Sequence, residues 1–302
     1  MKTYTVEMLE LDYETISEQI EDFIRSSVRR FEREGVIIGL SGGLDSSVVA
    51  TLSVRALGHD GVFGLVMPER DSEIKNIKDA ERLAKKLRIE YEVLDLTPIL
   101  RKMKVYELLP DRVVKNRKLL MEKLSETIRV STFEAKPTDL PIIDFKSGRR
   151  AYCFILPKVR LRSIFLYYYG CLKKLLVAGT LNKSEYLTSN YDEHGDGACE
   201  IAPLMNLYKT QVRQLARHLK IPRTILAKHS TPDLLAGSII TDEVITGIKY
   251  EILDPILYLL EKGLDSSEIA RKLDINKDIV VKVENSIAVA KLRREMPLSP
   301  QI

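Results

Sequence analysis

Residues 36–49, VIIGLSGGLDSSVV, place a glycine-rich turn with one acid and several hydroxyls between an apolar run and a helix-forming run. Residues 36–40 are apolar or glycine with no turn signal, which predicts a strand buried on both faces of a parallel sheet. Ser41, Gly42 and Gly43 then turn the chain, and a helix is expected from near Leu44. A helix start of this kind aims free N–H groups and a positive dipole end at an anion, and glycine lets the backbone approach phosphate oxygens closely. Ser46 and Ser47 add donors. Asp45 would repel a phosphate on its own, so its natural role is to hold a Mg²⁺ bridging to the phosphates. An ordinary strand-to-helix turn also draws on Gly, Ser and Asp, but six consecutive residues here suit one chemistry. Gly39, Ser41, Gly42, Gly43, Asp45, Ser46 and Ser47 are therefore candidate ATP-binding positions. The Walker spacing GxxxxGK[ST] is absent, which argues against a kinase or GTPase loop.

The rest of the chain bounds the setting. A length of 302 residues with 45% hydrophobic composition suffices for one large domain with an appendage. The 47 basic and 43 acidic residues are mixed along the chain, giving a net charge of +4 and the pattern of a solvated surface rather than a nucleic-acid stripe. Cys153, Cys171 and Cys199 lack CxxC spacing, so neither a zinc site nor a disulfide framework is expected, and a reducing cytoplasm is the simplest location. The opening MKTYTVEMLELDYE is acidic without an apolar core, and no stretch reaches the ~18 apolar residues of a membrane span. No nucleic acid or membrane partner is expected.

Apolar residues at Ile16, Ile20, Phe23, Ile24, Val28 and Phe31 recur at helical spacing over residues 13–33. After the loop helix, residues 61–69 read as a second strand, 72–87 as a helix and 91–96 as a third strand. Strands alternating with helices predict an α/β fold, a doubly wound parallel sheet with flanking helices. Ligands of such sheets sit at the carboxyl ends of the strands, where Met67 either covers an adenine or fills the core. Over residues 106–154 the rhythm is lost. A basic helical stretch whose KNRK run reads as a solvated face leads to β-rich pieces and a hairpin, PIIDF-KSG-RRAYCFIL, expected as an insertion. The rhythm resumes with a helix over 159–169, a strand over 173–179 and a helix from TLNKSEYL. Short helices with a break at residues 274–276 make a helical tail over 249–302, in which helix-turn-helix-like spacing lacks a basic recognition helix. The expected organisation is one domain over 1–302.

SGGLDSS resembles the pyrophosphate loop of the N-type ATP pyrophosphatases, which cut ATP between its α and β phosphates and pass AMP to a carboxylate or carbonyl oxygen. Four later segments resemble, in order and spacing, the ammonia-dependent NAD synthetases of that class. They are KVRLRSIFLYYYG at 158–170, VAGTLNKSEYLT at 177–188, HGDGACEIAPLMNLYKTQV at 194–212 and STPDLL at 230–235. The resemblance implies an adenine nucleotide alpha hydrolase-like fold, a homodimer, and the substrates ATP, ammonia and deamido-NAD or a related carboxylate, with Mg²⁺. It assigns Arg162, Thr180, Lys209 and Thr231 to ATP beside Met67; Glu185, which follows a strand on the same sheet edge as the loop, can supply a second carboxylate to the metal on Asp45. Asp196 in the GDG turn would orient ammonia or take its proton, so Asp45, Asp196 and Lys209 carry the catalytic roles. Arg160, Glu193, Asp196 and Asp233 would line the second substrate.

Three departures from the family fall on the substrate side. Glu193 stands where a lysine is usual, Leu156 replaces an asparagine, and LLAGSIITDEVITG replaces a stretch like LWxGQTDEDELG. His194 lies at a position usually aromatic and is given no catalytic role. Both deamido-NAD and another carboxylate stay open as the acceptor. The 35 residues ahead of the first strand are too few for an amidohydrolase domain, so free ammonia, or ammonia from a separate protein, is the expected nitrogen source.

Overall fold

The computed structural model describes residues 8–109, 149–228 and 247–295. Its sheet has four parallel strands, β1 (Gly35–Gly39), β2 (Val62–Val66), β3 (Glu90–Val93) and β4 (Leu175–Val177), in the order β3-β2-β1-β4. Val36 pairs with Val62 on one side and Leu176 on the other, which puts the loop strand at the centre. The apolar run of β1 is continuous because both of its faces are covered. Val36 and Ile38 meet α1 (Tyr13–Arg30), α2 (Leu44–Leu57) and α3 (Ile74–Leu87) in one core, while Ile37 joins Phe63, Leu65 and Val177 in a second. Each isoleucine so buried contributes about 1.5–3 kcal/mol. The expected helices and strands of this half thus form, with ends shifted by one to a few residues in either direction.

After β3 comes α4 (Thr97–Lys102), followed beyond the undescribed stretch by α5 (Arg149–Leu172). The expected hairpin does not hold where it is described: RRAYCFIL is the first third of α5, not a strand. Its aromatic and branched residues have strand propensity, but tertiary burial decides otherwise. Phe154, Lys158 and Leu161 are all buried, a spacing of four and three that only a helix turns to one side. Leu109 and Phe154 both sit in the second core, so the described ends of the 106–154 segment pack into the α/β body. The remaining β-rich pieces of the expected insertion lie outside the described residues.

Beyond β4 follow α6 (Lys183–Thr188), α7 (Lys209–His218), α8 (Arg223–Leu226), and the tail helices α9 (Tyr250–Glu261), α10 (Ser266–Leu273) and α11 (Lys277–Arg294). The break between α10 and α11 falls at Asp274, in the left-handed region with φ 56°. The tail builds a third core, in which Leu253, Ile256, Leu257, Ile269, Val280 and Val283 enclose Tyr208 from the segment leading into α7. The helix-turn-helix-like stretch spends its apolar face on this core. Among the described residues no helix is long and apolar enough to cross a membrane.

Candidate active site

The turn after β1 is held by features that only glycine meets. Gly42 has φ 71°, and a Cβ on it would lie 2.2 Å from the Asn76 carbonyl oxygen in α3. The N-cap of α2 is Gly43, with no side chain closing the helix start, so first-turn N–H groups face outward for an anion. Ser41 Oγ accepts from the Gly43 N–H at 3.1 Å and lies 3.1 Å from Ser46 Oγ. Ser47 is buried and donates to the Gly43 carbonyl at 2.6 Å, which makes it an internal brace of the turn.

A cavity of about 230 Å³ opens at the carboxyl ends of the strands, lined by Gly39, Ser41, Met67, Arg162, Thr180 and Asp196 among others. Met67 lines this cavity and also belongs to the second core. Gly179 leads out of β4 against Cys199, and its Cβ would come 2.5 Å from that sulfur.

Outside the cavity's lining, at the first turns of α2, α6 and α7, the two acids meet one base. The buried Lys209, first residue of α7, places Nζ 2.6 Å from Asp45 Oδ2 and 3.3 Å from Glu185 Oε1. Three elements far apart in sequence thus bring their charges to one point. Asn182 frames it: its side chain caps α6 by accepting from the Glu185 N–H at 3.1 Å and donates to Asp45 Oδ1 at 3.2 Å, while Glu185 Oε2 accepts from the Asn182 N–H. Two convergent carboxylates are a hard-oxygen donor set of the kind Mg²⁺ takes together with phosphate oxygens.

The substrate-side candidates separate. Arg160 makes a two-pronged pair with Asp192, Nε to Oδ1 at 2.9 Å and a second nitrogen to Oδ2 at 3.0 Å. Asp196 lines the cavity and accepts from the Asp192 N–H at 2.8 Å. Glu193 is turned away to Arg293 of α11 at 2.7 Å, and that guanidinium also donates to the Ser189 and Tyr191 carbonyls. His194 is exposed in the loop. Thr231, Asp233 and the variant loop over 236–246 lie outside the described residues.

Sequence reasoning missed four residues around this site. Lys158 is fully buried, with Nζ 3.0 Å from Glu69 Oε1 and 2.7 Å from Asp71 Oδ2, and it fixes the segment after β2 that carries Met67 to the cavity. Burial pushes the Asp71 carboxyl up, but hydrogen bonds from Arg70 and Lys158 outweigh it and hold the group below the ordinary range. Tyr106 donates to Glu69 at 2.8 Å, and burial with that partner raises its phenol. Lys228 donates to the Gly42 carbonyl at 2.8 Å and to Asn76 Oδ1 at 2.7 Å, clamping the turn to α3. Asp254, from the tail, accepts from Ser184 and from the Thr210 N–H. All four act through long-range contacts that no local pattern encodes, whereas Asn182 left a sequence signal in its N-cap spacing to Glu185.

The sequence matches the NAD synthase family over residues 16–133 and 155–297. It is 38% identical over 288 residues to the NH(3)-dependent NAD(+) synthetase of Thermotoga neapolitana, spanning 94% of this chain and 96% of that one. Its identity to the enzyme of the same name from Methanocaldococcus jannaschii is 36% over 289 residues, spanning 96% and 97%. The solved structure of the NH3-dependent NAD synthetase of Campylobacter jejuni, 26% identical, aligns with a TM-score of 0.65 over 97% of this chain and 99% of that one. The NMN synthetase of Francisella tularensis, 24% identical, shares the fold with a TM-score of 0.71 over 97% of this chain and 100% of that one. With both halves matched and relatives of this identity along nearly all of its length, the chain belongs to the NAD synthase family.

Proposed function

We propose that the chain is an ammonia-dependent NAD synthase working through an adenylated carboxylate. A nicotinate carboxylate oxygen of deamido-NAD attacks the α-phosphorus of ATP, and the bond to the bridging oxygen breaks to release pyrophosphate. Ammonia then adds to the acyl carbon, loses a proton, and expels AMP to leave the amide. The observation that carries this reading is the convergence of Asp45, Glu185 and Lys209 at helix starts that follow the strand ends whose Ser41 and Thr180 line the cavity.

Each residue has a task that its position suits. The turn from Ser41 to Gly43 and the open start of α2 receive the β and γ phosphates through backbone N–H groups. Asp45 and Glu185 would hold Mg²⁺, which when bound neutralises phosphate charge and orients the triphosphate. Lys209 adds a fixed positive charge where negative charge builds on the leaving pyrophosphate. Thr180 and Arg162 face the α-phosphate side of the cavity, and Met67 covers the base. Asp196, which also lines the cavity, would orient ammonia or take its proton.

A homodimer suits the surface. On α5, Ile164, Tyr168 and Leu172 are 62%, 59% and 66% exposed, an apolar face that a second copy would cover. A cytoplasmic location agrees with three unpaired cysteines.

The test is pyrophosphate release by the purified chain with ATP, Mg²⁺, deamido-NAD and ammonium. AMP, pyrophosphate and NAD are expected in equal amounts, with glutamine failing to replace ammonium. ADP and phosphate as sole products, or turnover only with a different carboxylate, would refute the reading.

A further inference from the structure

The tail helix α9 sends one acid into the protein interior. Asp254 has no exposed surface, and a carboxylate so placed is costly unless its oxygens are satisfied. Oδ1 accepts from Ser184 Oγ at 2.6 Å, and the same Oγ accepts from the Lys209 N–H at 2.9 Å. Oδ2 accepts from the Thr210 N–H at 2.7 Å. Ser184 immediately precedes Glu185 on α6, and Lys209 and Thr210 are the first two residues of α7. A single carboxylate therefore ties together the backbone positions from which the metal-side acid and the phosphate-side base project.

We propose that Asp254 is a positioning residue that holds the Lys209 ammonium and the Glu185 carboxylate in register with each other for the nucleotide. The inference rests on the proposed roles of those two residues in ATP binding and cleavage. Hydrogen bonds to a charged acceptor are stronger than neutral ones. Those from Ser184 and the Thr210 N–H, with Arg213 nearby, favour the ionised form against the burial that pushes the Asp254 carboxyl up to about 6. The helical tail thereby becomes a strut of the active site, because misplacing a preorganised group by a fraction of an ångström weakens it.

Asp254→Asn keeps the volume but removes the charge, and its single amide oxygen can no longer accept from both the Ser184 hydroxyl and the Thr210 N–H. Ser184→Ala removes one hydroxyl from the same path and decides the matter should Asp254→Asn not fold. Both are compared with wild type and Lys209→Ala in the full chain, measuring KM for ATP and for ammonium in pyrophosphate release. Asp254→Asn and Ser184→Ala are each expected to raise the ATP KM about tenfold, the effect of losing one hydrogen bond to a charged group. The ammonium KM should stay within twofold, and the double variant should match the worse single one. A purely structural role would lower only the amount of active enzyme and move neither KM. The proposal is overturned if both variants keep the wild-type ATP KM while Lys209→Ala raises it. An unchanged ATP KM in Lys209→Ala would instead refute the assignment of Lys209 to ATP, and the proposal with it.

Discussion

Lys158→Met tests how the segment that carries Met67 to the cavity is held. Lys158 and Glu69 have no exposed side-chain surface, and Asp71 has 5%. Removing the ammonium leaves two carboxylates in the interior, where breaking a buried pair costs about 3–5 kcal/mol. Asp71 keeps Arg70 at 2.9 Å and Glu69 keeps the Tyr106 hydroxyl at 2.8 Å, which puts the expected loss near the lower end, about 3 kcal/mol. At about 2–3 °C per kcal/mol for a large domain, Tm should fall by about 6–9 °C. Urea unfolding at pH 7.5, followed by circular dichroism, measures the loss directly. Adding Glu69→Gln removes one stranded charge and should recover about 1 kcal/mol or more. The pH dependence has a definite sign. Because Asp71 is held below its ordinary value despite burial, its contribution is complete above the unfolded value of about 4 and disappears as pH falls through the native one. The gap between wild type and Lys158→Met should therefore narrow toward acid. A gap under about 1 kcal/mol at pH 7.5, or one that widens in acid, would refute the reasoning.

Asp45→Ala removes one of two carboxylates facing Lys209 and should cut turnover by about 10² or more, the scale of losing one preorganised electrostatic group; steady-state pyrophosphate release checks it, and near-normal turnover would exclude Asp45 as a metal ligand. Gly42→Ala forces a side chain into φ 71° and against the Asn76 carbonyl, so stability should fall by at least about 1–2 kcal/mol in urea titration and the ATP KM should rise. For Asp254, raised from an ordinary 3.8 to about 6 by burial, the folded state binds the extra proton. Its contribution is greatest below about pH 4 and is lost as pH rises through 6, about 3 kcal/mol in full and about half of it between pH 5 and 8. Asp254→Asn should flatten that part of the stability profile, as urea titrations at the two pH values would show.

Much of this protein was legible along the chain. The run of residues 36–40 declared a strand buried on both sides, the Ser41–Gly43 run a tight turn into a helix, and the alternation of strands and helices a parallel sheet, because each depends on spacing within a few residues. The same holds for the α6 cap, where Asn182 and Glu185 are three residues apart. Residues 149–156 were not legible: their composition favours a strand, and only the burial of Phe154 and Lys158 on one side of α5 makes them a helix. The meeting of Asp45, Glu185 and Lys209 was suggested by the family resemblance, but their distances come from three separate elements folding onto one sheet edge. Glu193 shows the limit most clearly. In sequence it is a charge beside the expected dinucleotide, whereas in the fold Arg293, a hundred residues on, claims it. Local order follows from neighbours in sequence, but a buried charge takes the partner that chain packing brings to it, and no spacing rule reaches from Lys158 to Glu69 or from Asp254 to Ser184.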